Sequence, residues 1–197
     1  MIGRIRGILI HKSPPFLMVE AAGLGYELEA PISTFAHLPE KGQEVILLTH
    51  LMVKEDSHTL YAFANESERV LFRAVLKISG IGAKLALVIL SGFSPQQFAQ
   101  VILEENTNLL VKLPGIGKKT AERMIIELRD KVEALGLGSA VSSHTASVAS
   151  MSASSEAAEA LQALGYKQSE VSKMMAKMDC KDLTTEQIIR LALQGNL

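Results

Sequence analysis

The sequence predicts a multidomain α+β protein: a small N-terminal β-barrel, a middle all-α domain and a small three-helix domain near the end of the chain. Three observations predict it. Hydrophobic periodicity switches from two to about 3.6 near Ser67. A stretch of 17 residues, Ser139 to Ser155, holds no Asp, Glu, Lys or Arg and divides the end of the chain from the rest. One pattern of glycines, isoleucine and lysines occurs twice between them, at an offset of 35 residues.

Residues 1–63 read as β structure, with Ile-, Val- and Leu-rich runs at 1–10, 16–21, 25–30, 44–53 and 59–63 separated by glycine and proline. Within Gly25 to Ala30, Tyr26, Leu28 and Ala30 alternate with Glu27 and Glu29, the pattern of a strand with one buried face. Five short strands predict a small barrel of the OB-fold kind, a scaffold that often binds nucleic acid but whose presence alone does not establish function. Between the last two strands lies Lys54-Glu55-Asp56-Ser57-His58. Such a tip is usually just solvated. Pointed into bound DNA, though, Glu55 and Asp56 would repel phosphates at short range, where screening is weakest.

Residues 64–138 read as helical. Val70, Leu71, Ala74, Val75 and Ile78 fall on one face. Ser94 caps a helix that has Pro95 at its first position and Gln97 reaching back. A further helix runs from about Lys118 to Ala134 and stops at Gly136. The serine- and alanine-rich stretch 139–155 reads as a flexible tether that spans about 20 to 25 Å as a random coil. Residues 156–197 carry helical patterns at 156–164, 169–178 and 185–194, with Thr184 and Gln187 as a capping pair for the last. A unit this small is marginal alone and typically exists to bind something.

Composition excludes several classes. With 48% hydrophobic and 21% charged residues the chain is globular, and no apolar run approaches the roughly 20 residues a membrane span requires. The opening MIGRIRGILI lacks the apolar stretch and cleavage site of a secretory signal, so a cytoplasmic protein is expected. Cys180 stands alone, and histidines 11, 37, 50, 58 and 144 show no metal-ligand spacing, so neither a disulfide nor a metal is expected. A net charge of -1 argues against bulk electrostatic coating of nucleic acid. Residues 64–140 alone are net positive, with ten Lys/Arg against eight Asp/Glu. Any DNA contact must come from a few well-placed groups.

The repeat supplies them. Lys77-Ile78-Ser79-Gly80-Ile81-Gly82-Ala83-Lys84-Leu85-Ala86 aligns with Lys112-Leu113-Pro114-Gly115-Ile116-Gly117-Lys118-Lys119-Thr120-Ala121. Each copy ends one helix and begins another through a turn whose two glycines permit positive φ and leave no side chain over the backbone. The amides exposed there, at a helix N-terminus, form a nest suited to a phosphate oxygen, while Ile81 and Ile116 pack between helices. Lys84, Lys118 and Lys119 fall in the first turn of the following helix, where the dipole disfavours cations unless a phosphate is near. A tight helix-to-helix turn would explain one copy. Two copies at a fixed offset, each followed by lysine, favour phosphate binding. GIGKKT is not a P-loop: the earlier glycine would fall at Lys112 and the hydroxyl at Lys119, so no nucleotide site and no cofactor are expected.

Over its whole length the chain resembles the RuvA family, the Holliday-junction-binding subunits of RuvAB branch-migration machines. The resemblance is carried by MIGRIRG at the start, THLMVKED at the hairpin, GIGAKLALVILSG, and LVKLPGIGKKTAERMI, in family order. It implies an OB-fold domain that assembles a homotetramer, and a tandem helix-hairpin-helix domain. In that domain the amides around Gly80, Ile81, Gly82, Gly115, Ile116 and Gly117 hold duplex phosphates, and Lys84, Lys118, Lys119 and Arg123 supply cations. It implies that Glu55 and Asp56 form an acidic pin separating strands at the crossover of a four-way junction held open. The three-helix, UBA-like domain, with Leu164-Gly165-Tyr166 at its first turn, would bind the RuvB AAA+ ATPase, which consumes the ATP. A RuvC resolvase, and one tetramer or two around the junction, belong to the same implication. Two other classes stay open on the residues alone. A helix-hairpin-helix glycosylase or nuclease would need an acidic site, and Glu104-Glu105 is the only other adjacent acidic pair. An OB protein binding RNA, with its repeats used for protein contacts, is the third.

Overall fold

The computed structural model describes residues 1–132, 153–166, 168–176 and 183–194. The chain forms two compact units, Met1–Ser142 and Ser143–Leu197.

The first unit begins with five strands, β1 (Arg4–Ser13), β2 (Phe16–Ala21), β3 (Leu24–Glu29), β4 (Glu44–Val53) and β5 (His58–Phe63). They close into a barrel in the order β1-β2-β3-β5-β4, in which β3 and β5 pair in parallel through Glu29 and Tyr61 and every other pairing is antiparallel. Alternation along each strand sends Ile5, Leu9, Leu17, Val19, Leu28, Val45, Leu47, Leu60 and Ala62 inward. A four-residue helix, α1 (Ile32–Phe35), sits in the connection between β3 and β4 and adds Phe35 to the barrel core. It is too short to leave a periodic trace in the sequence.

β5 joins the barrel to the helices that follow. Leu60 and Ala62 point into the barrel, whereas Tyr61 and Phe63 belong to the core of the helical region. There the ring of Phe72 lies 5.0 Å from Tyr61 and 4.9 Å from Phe63. A strand with period-two side chains thus feeds two cores at once. The path out of the barrel is fixed by a buried polar cluster. Glu68, only 3% exposed, accepts from Thr34 Oγ1 at 3.1 Å and from the Ala64 amide at 3.1 Å. Asn65 Oδ1 accepts from the Glu68 amide at 2.9 Å and so caps α2 (Glu66–Val75).

Four more helices complete the unit: α3 (Ala83–Gly92), α4 (Pro95–Leu103), α5 (Thr107–Val111) and α6 (Lys118–Val132). Ser94 and Gln97 form the reciprocal capping box expected of them, with Pro95 in the first turn. α3 and α4 meet at 94°, and no single helix among the described residues is long and apolar enough to cross a membrane. In the second unit α7 (Ala153–Ala163), α8 (Gln168–Ala176) and α9 (Thr185–Gln194) enclose Leu161, Val171 and Ala192. The Thr184 amide donates to Gln187 Oε1 at 2.9 Å and the Gln187 amide to Thr184 Oγ1 at 3.4 Å, the predicted cap. α7 starts three residues before the predicted 156, inside the serine-rich stretch, because Ala153 and the serines after it suit a helix's first turn. The rest of that stretch, the expected end of α6 at Ala134 and Gly136, the last residues of 169–178, and Cys180 lie outside the described residues.

His50 marks the seam between barrel and α2. Its ring packs edge-on to Phe72 at 5.6 Å, and its Nδ1 accepts from Arg73 Nε at 3.3 Å. Burial, reinforced by the positive charges of Arg73 and Arg69, lowers its pKa below the ordinary histidine value. The unfolded chain therefore takes up this proton first as pH falls. The stability is complete above about pH 6.5, the unfolded value, and is lost as pH drops toward the folded one. The unfolding midpoint should fall more between about pH 7.5 and about pH 5.5 in the wild type than in His50→Gln. Parallel profiles would show that His50 is not the titrating group.

Candidate nucleic-acid interface

The two glycine turns repeat each other hydrogen bond for hydrogen bond. In the first, Lys77 N donates to Ala74 O (3.3 Å), Ile78 N to Val75 O (3.1 Å), Ile81 N to Ile78 O (3.1 Å) and Ala86 N to Gly82 O (3.0 Å). In the second, Lys112 N donates to Leu109 O (3.3 Å), Leu113 N to Leu110 O (3.1 Å), Ile116 N to Leu113 O (3.2 Å) and Ala121 N to Gly117 O (3.0 Å). Helix α2, its turn and α3 form one hairpin. α5, its turn and α6 form the other.

The two glycines of each pair do different work: both permit positive φ, but only the first of each pair uses it. Gly80 (φ 89°) and Gly115 (φ 87°) take the left-handed conformation that ends a helix. Gly82 is extended at φ -94° and ψ 172°, because it is the N-cap of α3 and a cap residue stands outside helical geometry. Gly117 likewise lies outside the left-handed region, and its carbonyl accepts the first bond of α6. A Cβ on Gly82 or Gly117 would meet nothing within 4 Å, so both positions open to the surface. No side chain caps α3. The amides of Ala83, Lys84 and Leu85, and those of Lys118, Lys119 and Thr120, have no acceptor among the described residues. Each turn therefore presents a row of outward donors at the positive end of a helix.

Ile81 and Ile116 are 5% and 4% exposed and belong to the helical core, so they secure the turns from beneath and can offer a ligand only their backbone. Their own amides are already bonded to Ile78 and Leu113, which leaves the donors on the residues that follow. Lys84, Lys118 and Lys119 are exposed in the first turns of α3 and α6, and none makes an ion pair among the described residues. By contrast the first turn of α2 carries Glu66 and Glu68, as the dipole favours. Arg123, which the family resemblance groups with these lysines, is placed differently: its Nη1 donates to Ser79 O of the first turn at 3.1 Å.

Parts of both turns and the root of the acidic tip line one groove. A groove of about 1060 Å³ is lined by Lys54 at the root of the tip, by Gly82, Ala83 and Lys84 of the first turn, and by Leu113 and Pro114 of the second. Phe16 and Glu29 form its barrel wall. Glu55 and Asp56 are exposed on the adjoining tight loop, closed by Lys54 N to Ser57 O at 2.8 Å. Nothing in the sequence pattern signals Lys54 or the interlock between hairpins. Leu113 comes within 2.5 Å of where a Cβ on Gly92 would stand, and Leu85 within 3.3 Å of one on Gly115.

The other acidic pair is engaged locally. Glu104 accepts from Gln100 Nε2 at 2.7 Å, and Glu105 pairs with Arg129. No group of three or more metal-ligating side chains occurs among the described residues. In the second unit, Leu164-Gly165-Tyr166 ends α7: Tyr166 N donates to Leu161 O at 3.2 Å and Gly165 N to Gln162 O at 2.9 Å, with Gly165 at φ 102°. Tyr166 packs on the small core, while Leu164 is 62% exposed.

A closed five-stranded barrel followed by two equivalent helix-hairpin-helix turns, each with open amides and exposed lysines, defines a nucleic-acid-binding architecture. Family comparison narrows the class. Residues 1–62 match the RuvA N-terminal domain, 72–130 the SAM-like helix-hairpin-helix tandem, and 152–195 the RuvA C-terminal domain. Proteins from Nitrosococcus oceani, Escherichia coli O1:K1 / APEC and Coxiella burnetii (strain CbuG_Q212), each called Holliday junction branch migration complex subunit RuvA, are 50%, 48% and 47% identical to the chain. The first two alignments cover 100% of both chains, the third 98% of this chain and 97% of the other. The chain belongs to the RuvA family.

The division of labour between the glycines is testable. Gly80→Ala and Gly115→Ala should destabilise the fold by about 1 kcal/mol or more, since alanine is strained at these φ values. Gly82→Ala and Gly117→Ala, with no left-handed strain and only a poorer cap, should lower the unfolding midpoint less yet weaken DNA binding, by setting a methyl group over the open amides. DNA affinity unchanged in the second pair would exclude close phosphate approach at these turns.

Proposed function

We propose that this chain binds four-way junction DNA, holds it in an open form and presents it to a RuvB-type AAA+ ATPase for branch migration in recombination and repair. It carries out no catalytic step and takes no cofactor of its own. The observation that carries this reading is the duplicated turn: two helix starts with matching hydrogen bonds and open amides, each followed by lysine that makes no ion pair among the described residues. Donors of this kind read backbone geometry and not bases, so binding should follow junction shape and be nearly independent of sequence. The full-length relatives are named as subunits of a branch migration complex, which supports a separate motor.

In this reading the barrel assembles a homotetramer, because four copies place one pair of clamps on each arm. Glu55 and Asp56 then stand at the crossover and keep strands from settling there. The three-helix unit reaches the motor, with exposed Leu164 beside Gly165 and Tyr166 as its first contact. Residues 1–63, 64–138, 139–155 and 156–197 serve as barrel, clamp, tether and motor-binding module. The site of action is the cytoplasm, with a RuvC-type resolvase as the later recipient of the junction.

Affinities for a four-way junction, a linear duplex of the same sequence and a structured RNA, measured at one salt concentration, test the reading. The junction should bind most tightly; equal affinities would sink it. Lys118→Ala with Lys119→Ala should weaken junction binding and flatten its log–log salt slope by roughly 0.9 for each phosphate that is no longer neutralised. Glu55→Gln with Asp56→Asn should preserve or tighten binding and alter branch migration by the motor. Markedly weaker binding in this folded variant would contradict the pin.

A further inference from the structure

Resting on the clamp reading above, we infer that Arg123 is a positioning residue that braces the two turns against each other, and not a phosphate ligand. Arg123 lies in the second turn of α6, yet its Nη1 donates to the carbonyl of Ser79, the residue before Gly80 in the other hairpin, at 3.1 Å. No backbone amide occupies that carbonyl among the described residues. Behind it, Glu127 Oε1 stands 3.9 Å from Arg123 Nε and helps to orient the guanidinium. One planar side chain thus spans from the second clamp's helix to the first clamp's backbone.

The internal repeat separates this role from that of Lys84 and Lys119. At the 35-residue offset Lys84 matches Lys119, as expected if each turn holds a phosphate for itself. Arg123 matches Val88, a residue with no charge and no side-chain donor. A brace between two turns is needed only once, so it calls for no counterpart at Val88. The apolar contacts of Leu113 at Gly92 and Leu85 at Gly115 set how closely the hairpins approach. They have no directional preference. A charge-assisted hydrogen bond from a rigid fork does, and it fixes the rotation of one row of amides relative to the other. Two phosphates on a duplex have a fixed spacing, so clamps already set to it avoid an ordering cost on binding.

The test uses the full chain and a four-way junction, with Arg123→Lys, Arg123→Gln and the Lys118→Ala/Lys119→Ala variant measured over a range of salt. Lysine keeps the charge but lacks the fork. A brace requires that both Arg123 variants bind about tenfold more weakly while keeping the wild-type salt slope, since every phosphate remains neutralised. Without DNA, both should also show faster amide exchange at Ile81, in a turn that a pure phosphate ligand would leave undisturbed. Wild-type affinity in Arg123→Lys, together with a slope flatter by about 0.9 in Arg123→Gln, would make Arg123 a phosphate ligand and overturn the brace. Wild-type binding in both variants would overturn it as well. If instead the Lys118→Ala/Lys119→Ala variant leaves affinity and slope unchanged, the clamp reading itself fails, and the brace with it.

Discussion

Backbone donors at the starts of α3 and α6 have nothing among the described residues to bond, and the rest of the structure is arranged around that fact. A helix start ordinarily takes a Ser, Thr, Asp or Asn cap and acidic neighbours, as α2 does with Asn65, Glu66 and Glu68. α3 and α6 have glycine and lysine instead. Each choice alone costs stability: the glycine forgoes a cap, and the lysine opposes the dipole. Both costs turn into gains when an anion sits over the amides. The buried Ile81 and Ile116 hold the turns rigid from below, so that the donors keep their direction while the anion is absent.

The rigidity has a second source. β5 commits alternate side chains to the barrel and to the helical core, and Phe72 receives Tyr61 and Phe63 within about one ring's width. The buried polar cluster of Thr34, Ala64 and Glu68 ties the exit from the barrel to the start of α2. The hairpin that carries Glu55 and Asp56 connects β4 to this same β5, so acidic tip and clamps belong to one packed body. The acidic tip and the open amides are therefore held at a set separation, which a pair of tethered domains could not do.

Most of this is legible in the sequence where the signal is local. Strand alternation, the Ser94 and Thr184 caps, and the duplicated glycine turns all act over a few residues, and the structure places them at the positions their patterns mark. What escapes is either too short or too distant. α1 has four residues and no period to detect. The link from Arg123 to Ser79 joins positions 44 apart, and grouping Arg123 with the lysines by family resemblance conceals it. The separate roles of Gly80 and Gly82 are invisible because composition records a glycine without its φ. The double duty of β5 shows in the sequence only as an unusually apolar Leu60-Tyr61-Ala62-Phe63 run, which a single-core strand would also explain.

The most direct measurement is a structure of the chain bound to a four-way junction. Phosphate oxygens should lie within about 3 Å of amide nitrogens in both Ala83 to Leu85 and Lys118 to Thr120, on the two hairpins of one subunit. Both turns lying against protein and away from any nucleotide would contradict the central claim.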